Sequence, residues 1–306
     1  MIPDHESSET KQKYGVIMEQ VSTDNRIKGI IFIILAAFGF SLMAFFVRLS
    51  GDLPTMQKAF FRNFVAIFIS TAVLIKEKQP FRIVKENRSD IILRCLFGTS
   101  GLVANFYAID RLGIADANML NKLSPFFAII ISIFILKEIP TKLDIIVTII
   151  AFLGALLIIR PTGLISEFMP ALVGLYGGFG AGTAYVFVRK LGKKGERTSV
   201  IVFCFSAFSC LVTLPFLLFD YHPMTVSQWL CLIMAGVSAS LGQFSITTAY
   251  KFAPAREISV FDYTQVIFAT LLGMIFLAET PHPLSICGYA VIIGVAVFRW
   301  HRLRTA

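Results

Sequence analysis

The chain has 306 residues, 56% apolar and only 15% charged, with 30 phenylalanines and a mean hydropathy of +0.74. Soluble domains are about half apolar and about a quarter charged, and a soluble fold of this size has no interior able to hide the excess, so the composition reads as a polytopic membrane protein. The net charge of +9 would suggest nucleic acid in a soluble chain. In a membrane protein it is the ordinary result of Lys and Arg collecting in cytoplasmic loops, and no nucleic-acid partner is expected.

Residues 1–27 are polar and lack the apolar run of about 7–15 residues that a cleavable signal needs; they read as a cytoplasmic N-terminal tail. Ten apolar segments follow, at 29–47, 56–75, 91–109, 115–136, 143–160, 169–188, 199–219, 227–249, 257–278 and 284–300. Each is at or near the roughly 20 residues a spanning helix requires. The connections are short, the longest polar interruption running from Lys76 to Asp90. Cys95, Cys204, Cys210, Cys231 and Cys287 all fall inside apolar stretches, without a CxxC pair or a histidine at ligand spacing. No disulfide framework, metal or cofactor is therefore expected.

With the N-terminus inside and the spans alternating, inside segments hold 22 Lys and Arg and outside segments hold 5, with Lys122 inside a span. That bias supports ten spans with both termini cytoplasmic. The inside set includes Arg94, counted with the loop after the second span; Lys58 and Arg62 are counted outside.

An internal repeat is also present. Shifted by 141 residues, the chain aligns on itself without an obvious gap. Phe46-Val47-Arg48 meets Phe187-Val188-Arg189, Gly101 meets Gly242, Ala108 meets Ala249, and Leu136, Glu138 and Pro140 meet Leu277, Glu279 and Pro281. Each repeat holds five spans, an odd number, so the second enters the membrane in the opposite sense. Residues 28–162 form the first repeat and 169–302 the second. Inverted repeats with a site near the bilayer midplane are a mark of secondary transporters.

These segments resemble the drug/metabolite transporter superfamily, of the EamA type. The resemblance is carried by Ala115-Asp116-Ala117 through Ser124-Pro125 to Leu136-Lys137-Glu138, by Phe261-Asp262-Tyr263-Thr264 through Leu277-Ala278-Glu279, and by Arg62 after Phe60-Phe61. It covers about residues 28–302 and is specific for the superfamily but not for the substrate. It implies an all-α fold of ten transmembrane helices in two inverted five-helix repeats, in a bacterial inner membrane. It also implies a central cavity lined chiefly by helices other than the fifth and tenth, which are linked with homodimerisation. Similar members move S-adenosylmethionine, riboflavin, amino acids, drugs and other small solutes.

Ionisable groups inside a span cost about 2.5–3.5 kcal/mol on insertion scales, so they face a cavity or a partner. The fourth span carries Asn118, Asn121, Lys122 and Pro125 on one helical face; the ninth carries Asp262, Tyr263 and Gln265 at the equivalent place. These two faces are expected to flank the cavity. Lys122 would meet a substrate carboxylate or phosphate, and Asp262 an ammonium or a coupling proton. The alternatives are that the two pair with each other or that Lys122 snorkels to an interface. Both charges at one depth favour an amphoteric solute such as an amino acid or S-adenosylmethionine.

The third span has Arg94, Gly98, Gly101 and Asn105 on one face; the glycines let another helix approach, and Asn105 reaches a seam or the cavity. Tyr107, Gln243 and Tyr185 are further binding candidates because they are polar at membrane depth. Gly174, Gly178 and Gly182 in the sixth span form a packing face or a flexible point for gating. Glu138 and Glu279 read as structural, at a helix end or in an ion pair. Arg62, one turn beyond Lys58, either attracts an anionic group or binds a neighbouring helix end.

No Walker motif exists, so the expected activity is secondary transport of a small polar or amphoteric metabolite by alternating access, with proton or ion coupling, exchange or facilitated diffusion. A membrane enzyme would need a catalytic constellation. His5, His222, His282 and His301 lie in tails or loops and no HExxH is present; no catalytic residue is assigned. A channel would show charge rings or a filter sequence, and neither is evident.

Overall fold

The computed structural model describes residues 23–112, 114–159, 168–278 and 283–305, and all of its regular structure there is helical. In chain order the α-helices are α1 (Thr23–Leu49), α2 (Thr55–Lys76), α3 (Arg88–Leu112), α4 (Ile114–Asn121), α5 (Ser124–Leu136), α6 (Lys142–Ile159), α7 (Phe168–Lys193), α8 (Thr198–Phe219), α9 (Val226–Phe252), α10 (Ala255–Ile258), α11 (Thr264–Leu277) and α12 (Pro283–Thr305). Short 3-10 turns occupy Lys85–Asn87 and Ser259–Tyr263. Among the described residues, eight segments are long and apolar enough to cross a membrane. The expected fourth span is instead divided between α4 and α5, and α6 corresponds to the fifth. Large apolar side chains such as Phe134, Leu218, Phe219 and Ile275 stand exposed on the outside of the bundle, as a surface facing lipid rather than water requires. The protein is an integral membrane protein.

Two spans are broken, and the breaks are related by the 141-residue offset. Between α4 and α5 the chain turns at Lys122–Leu123, because Pro125 has no N–H to give and its ring clashes with the carbonyl four residues back. The second break has no proline at that place. Ser259 donates its hydroxyl to the Ala255 carbonyl and Thr264 donates to Phe261, and such back-bonding competes with the regular ladder. A 3-10 stretch inside a span is also where hinges are found. The two helices after the breaks end alike: Lys137 and Ala278, 141 residues apart, both cap in the left-handed region at φ 57° and 52°.

The packing obeys the same symmetry. Helix α1 lies along α9, and its equivalent α7 lies along α3. A Cβ added to Gly39 would meet the Gly242 backbone nitrogen at 2.7 Å, and one on Gly180 would meet Gly101 Cα at 2.8 Å; these are the same contact in the two halves. Gly178 and Gly182 press on the carbonyls of Leu120 and Ser124, so the glycine face of the sixth span is a seat for the broken fourth one. Helix α2 packs on α8 and α6 on α12, each against its own counterpart.

The two ends of the bundle differ. At one end the repeats are tied by ion pairs: Arg26–Glu257, Glu77–Arg197, Asp90 with Lys190 and Lys194, Glu138 with Arg189 and Lys193, and Asp144–Arg299. Asn87 adds a hydrogen bond to Glu196, and Lys251 donates to the Glu196 carbonyl. Glu138 is thus the structural ion-pair residue expected, whereas Glu279 lies outside the described residues. At the other end the contacts between repeats include hydrogen bonds of two glutamines. Gln57 exchanges two hydrogen bonds with the His222 backbone, and Gln228 donates to the Ser50 carbonyl.

Candidate substrate site

Between the repeats lies a cavity of about 620 Å³, within the range that holds small-molecule ligands. Its lining comes from spans one to four and six to nine and includes no residue of α6 or α12. Arg48, Gly51, Asp52 and Lys58 stand at the mouth, at the end of the bundle opposite the ion pairs. Arg94, Tyr185 and Gln243 line the deep part, toward the ion-paired end.

Of the residues expected at a site, Arg62, Asn105, Asn118, Asn121, Tyr185, Gln243 and Gln265 line this cavity. Lys122, Asp262 and Tyr263 form a layer beside it. Lys122 Nζ lies 3.1 Å from Asp262 Oδ2 and 2.6 Å from Gln265 Oε1, and the Tyr263 hydroxyl donates to the Lys122 carbonyl at 3.0 Å. Of the alternatives open for Lys122 and Asp262, the structure displays the mutual pair, on the two broken spans. Tyr107 stands apart: its side chain is exposed, it does not line the cavity, and its polar neighbour is the Arg111 guanidinium 5.9 Å from the ring.

Arg94 also lines this cavity, although it is not among the residues expected there. Counting it with loop charges placed it at the membrane edge; the structure buries it to 3% exposure within α3, lining the cavity. The available signal was its position on one face with Gly98, Gly101 and Asn105. Its Nη2 donates to Gln243 Oε1 at 3.3 Å, its plane sits over the Phe205 ring at 4.1 Å, and its Nε has no partner. Arg62 is 5% exposed; its Nη1 reaches the Met43 sulfur at 3.2 Å and its Nε is likewise unpartnered. Tyr185 stacks on Tyr250 with centroids 5.0 Å apart, and Asn105 Oδ1 has no partner. Among the described residues there is no cluster of His, Cys, Asp and Glu able to hold a metal.

A cavity between inverted repeats, bounded by two helices broken at equivalent places, is the geometry of a carrier, and sequence comparison decides the family. The EamA-like transporter family matches residues 27–160 and 168–299, one match per repeat. The chain belongs to this family. It is 32% identical over 271 residues to the pseudopaline exporter CntI of Pseudomonas aeruginosa, covering 88% of this chain and 94% of that one. An uncharacterized transporter of Helicobacter pylori is 27% identical over 266 residues, with 82% and 87% covered. Human solute carrier family 35 member G1 is 26% identical over 292 residues, covering 90% of this chain and 80% of that one. A solved structure superposes with a TM-score of 0.79 at 18% identity, covering 90% of this chain and 98% of that one; at that identity it supports the fold alone. This EamA-type protein is a membrane transporter, as its family and relatives are.

Proposed function

We propose that this EamA-type protein is a secondary active transporter that carries a small polar metabolite through the cavity by alternating access. The observation that carries the reading is the asymmetry of the bundle: the cavity opens at one end, and at the opposite end a set of ion pairs ties the repeats together. Rocking one repeat against the other would break those ties and close the mouth, exposing the same lining residues to the opposite side. By the charge bias, the ion-paired end is cytoplasmic and the mouth faces outward. Relatives that are transporters support the class, and a relative that exports pseudopaline favours export.

In this reading the lining residues named above contact the solute, and Lys122 and Asp262 act as the joint between the broken spans. Asp262 is a buried acid beside the cavity and is bonded to Lys122, which makes it the group through which a coupling proton would act on that joint. The test uses full-length protein in liposomes loaded with a panel of unlabelled metabolites. Saturable uptake of a labelled solute, accelerated by the same solute inside, is expected. Chemical conversion of the solute without its translocation would overturn the reading.

A further inference from the structure

Two buried guanidinium groups line the cavity, and among the described residues no carboxylate is paired with either. Arg62 and Arg94 are 5% and 3% exposed, both line the cavity, and among the described residues neither forms an ion pair. Their protein partners are weak for a cation: a thioether, one amide oxygen and an aromatic face. An arginine carries five N–H donors and stays charged, so most of this capacity is unused, and the Nε of each has no acceptor at all. Lys122 and Asp262 cancel one another, and among the described residues the two arginines are the other charged groups that line the cavity below its mouth. At the mouth, two basic residues, Arg48 and Lys58, stand with one acidic residue, Asp52.

The arginines are also placed apart. Arg62 lies seven residues, about 10 Å, into α2, which starts at the mouth; Arg94 lies six residues, about 9 Å, into α3, which starts at the closed end. A buried cation without an anion is strongly unfavourable, and a cavity built this way is completed by a ligand that brings the anion. We propose, within the transporter reading above, that the solute carries a carboxylate or phosphate group and that Arg62 and Arg94 are its charge-recognition residues. Guanidinium forks match both oxyanions in planar, charge-assisted pairs. Asn105 and Tyr185 add neutral polar groups to the lining.

The test is a thermal melt of the full chain in nanodiscs of phosphatidylcholine, in low-salt buffer, titrated with citrate, inorganic phosphate or choline. Citrate or phosphate is expected to raise the midpoint with concentration, and choline to leave it unchanged. Arg62→Gln and Arg94→Gln should weaken the apparent anion affinity about tenfold or more, as loss of a charge-assisted pair does, with partial recovery in Arg62→Lys and Arg94→Lys. The unliganded midpoint of the Gln variants should match or exceed that of the natural chain, because the uncompensated charge is gone. A lowered unliganded midpoint with unchanged anion affinity would assign the arginines to structure and overturn the proposal, and so would stabilisation by choline alone. A rise produced by adding phosphatidylglycerol instead of citrate, and lost in Arg62→Gln, would give the site to a lipid headgroup and overturn it as a solute site. Counterflow separates the two readings. A neutral or cationic solute that exchanges while anions do not removes the anion proposal and leaves the transporter. Anion binding without counterflow of any solute in the panel removes the transporter and leaves the binding site.

Discussion

Lys122 Nζ lies 3.1 Å from Asp262 Oδ2, which ties the turn between α4 and α5 to the 3-10 turn before α11. One partner comes from each repeat, and both side chains are about nine-tenths buried. The pair therefore holds the two broken spans in register across the interface that transport would have to move.

Removing one partner of such a pair leaves a buried charge without a counter-ion, at a cost of about 3–5 kcal/mol. Asp262→Asn keeps an acceptor for Lys122, and Gln265 remains 2.6 Å away, so its loss belongs at the low end of that range. The melting midpoint of Asp262→Asn should fall, and counterflow should fall with it. Lys122→Met combined with Asp262→Leu should recover most of the stability, because an apolar pair of similar volume replaces an ionic one at little cost, yet transport should stay impaired. Natural stability and natural kinetics in Asp262→Asn would remove the joint role.

The closed end makes a second prediction. Asp90 holds Lys190 and Lys194 at 2.8 and 2.6 Å, and Glu138 holds Arg189 and Lys193 at 3.2 and 3.4 Å. The lysines are about one-third exposed, so each of their pairs contributes little, but all favour the same conformation. Neutralising both acids, Asp90→Asn with Glu138→Gln, should shift the balance toward the oppositely open state by about 1–3 kcal/mol, on the order of 5–150-fold in population. A cysteine at the cavity residue Ala184, in an otherwise cysteine-free chain, reports the state through an impermeant thiol reagent. It should react from the mouth side in the parent, and gain reactivity from the ion-paired side in the double variant. Unchanged sidedness would show that these pairs do not latch that end.

Several features of this architecture were legible in the residues. The 141-residue offset identified the repeats, whereas 115–136 read as one continuous span although Pro125, which breaks it, was in view. The second break was not legible, because it rests on the hydroxyls of Ser259 and Thr264 rather than on a proline, and serines and threonines occur throughout the spans. Lys122 and Asp262 were evident as costly charges. Periodicity, however, gives a face and not the partner on the facing helix, so it could not choose between solute contact and mutual pairing. Arg94 was obscured by its position at the start of a span, where a basic residue ordinarily belongs to the loop charge. Its burial depends on α3 beginning at Arg88, six residues earlier. Tyr107 is the reverse case: polarity at membrane depth points to the interior, but α3 turns this side chain outward.

The glycine contacts predict two opposite outcomes from one kind of change. A Cβ on Gly101 would lie 3.0 Å from the Ala181 backbone nitrogen, and on Gly39 2.7 Å from that of Gly242. Backbone atoms cannot swing aside as a side chain can, so Gly39→Ala and Gly101→Ala should separate α1 from α9 and α3 from α7, at about 1–3 kcal/mol each. Gly294 has open space around its Cβ position, and Gly294→Ala should be neutral or stabilise α12 by up to about 1 kcal/mol through helix propensity. Melting midpoints of the three variants in one detergent check the sign; equal effects at all three sites would contradict the packing.

The pair that joins the fifth and tenth spans should prove more costly to break than the lysine pairs at the same end of the bundle. Asp144 and Arg299 are 2% and 5% exposed, and Arg299 donates Nη2 to Asp144 Oδ1 and to the Arg256 carbonyl. Asp144 does a second task. Its Oδ2 accepts the Thr141 backbone N–H at 2.8 Å, while the Thr141 hydroxyl accepts the Asp144 N–H at 3.3 Å, a reciprocal cap at the start of α6. Arg299→Met leaves the cap intact and strands the carboxylate, costing about 3–5 kcal/mol. Asp144→Ala strands the guanidinium and also uncaps the helix, adding about 0.5–2 kcal/mol. Thr141→Ala should cost the cap alone. Ranked melting midpoints of Thr141→Ala, Arg299→Met and Asp144→Ala, in falling order, are the expected result. Because α6 and α12 contribute no residue to the cavity, all three variants that remain folded should keep the natural apparent affinity for the transported solute. A changed affinity in Thr141→Ala would mean that these spans shape the site as well as hold it.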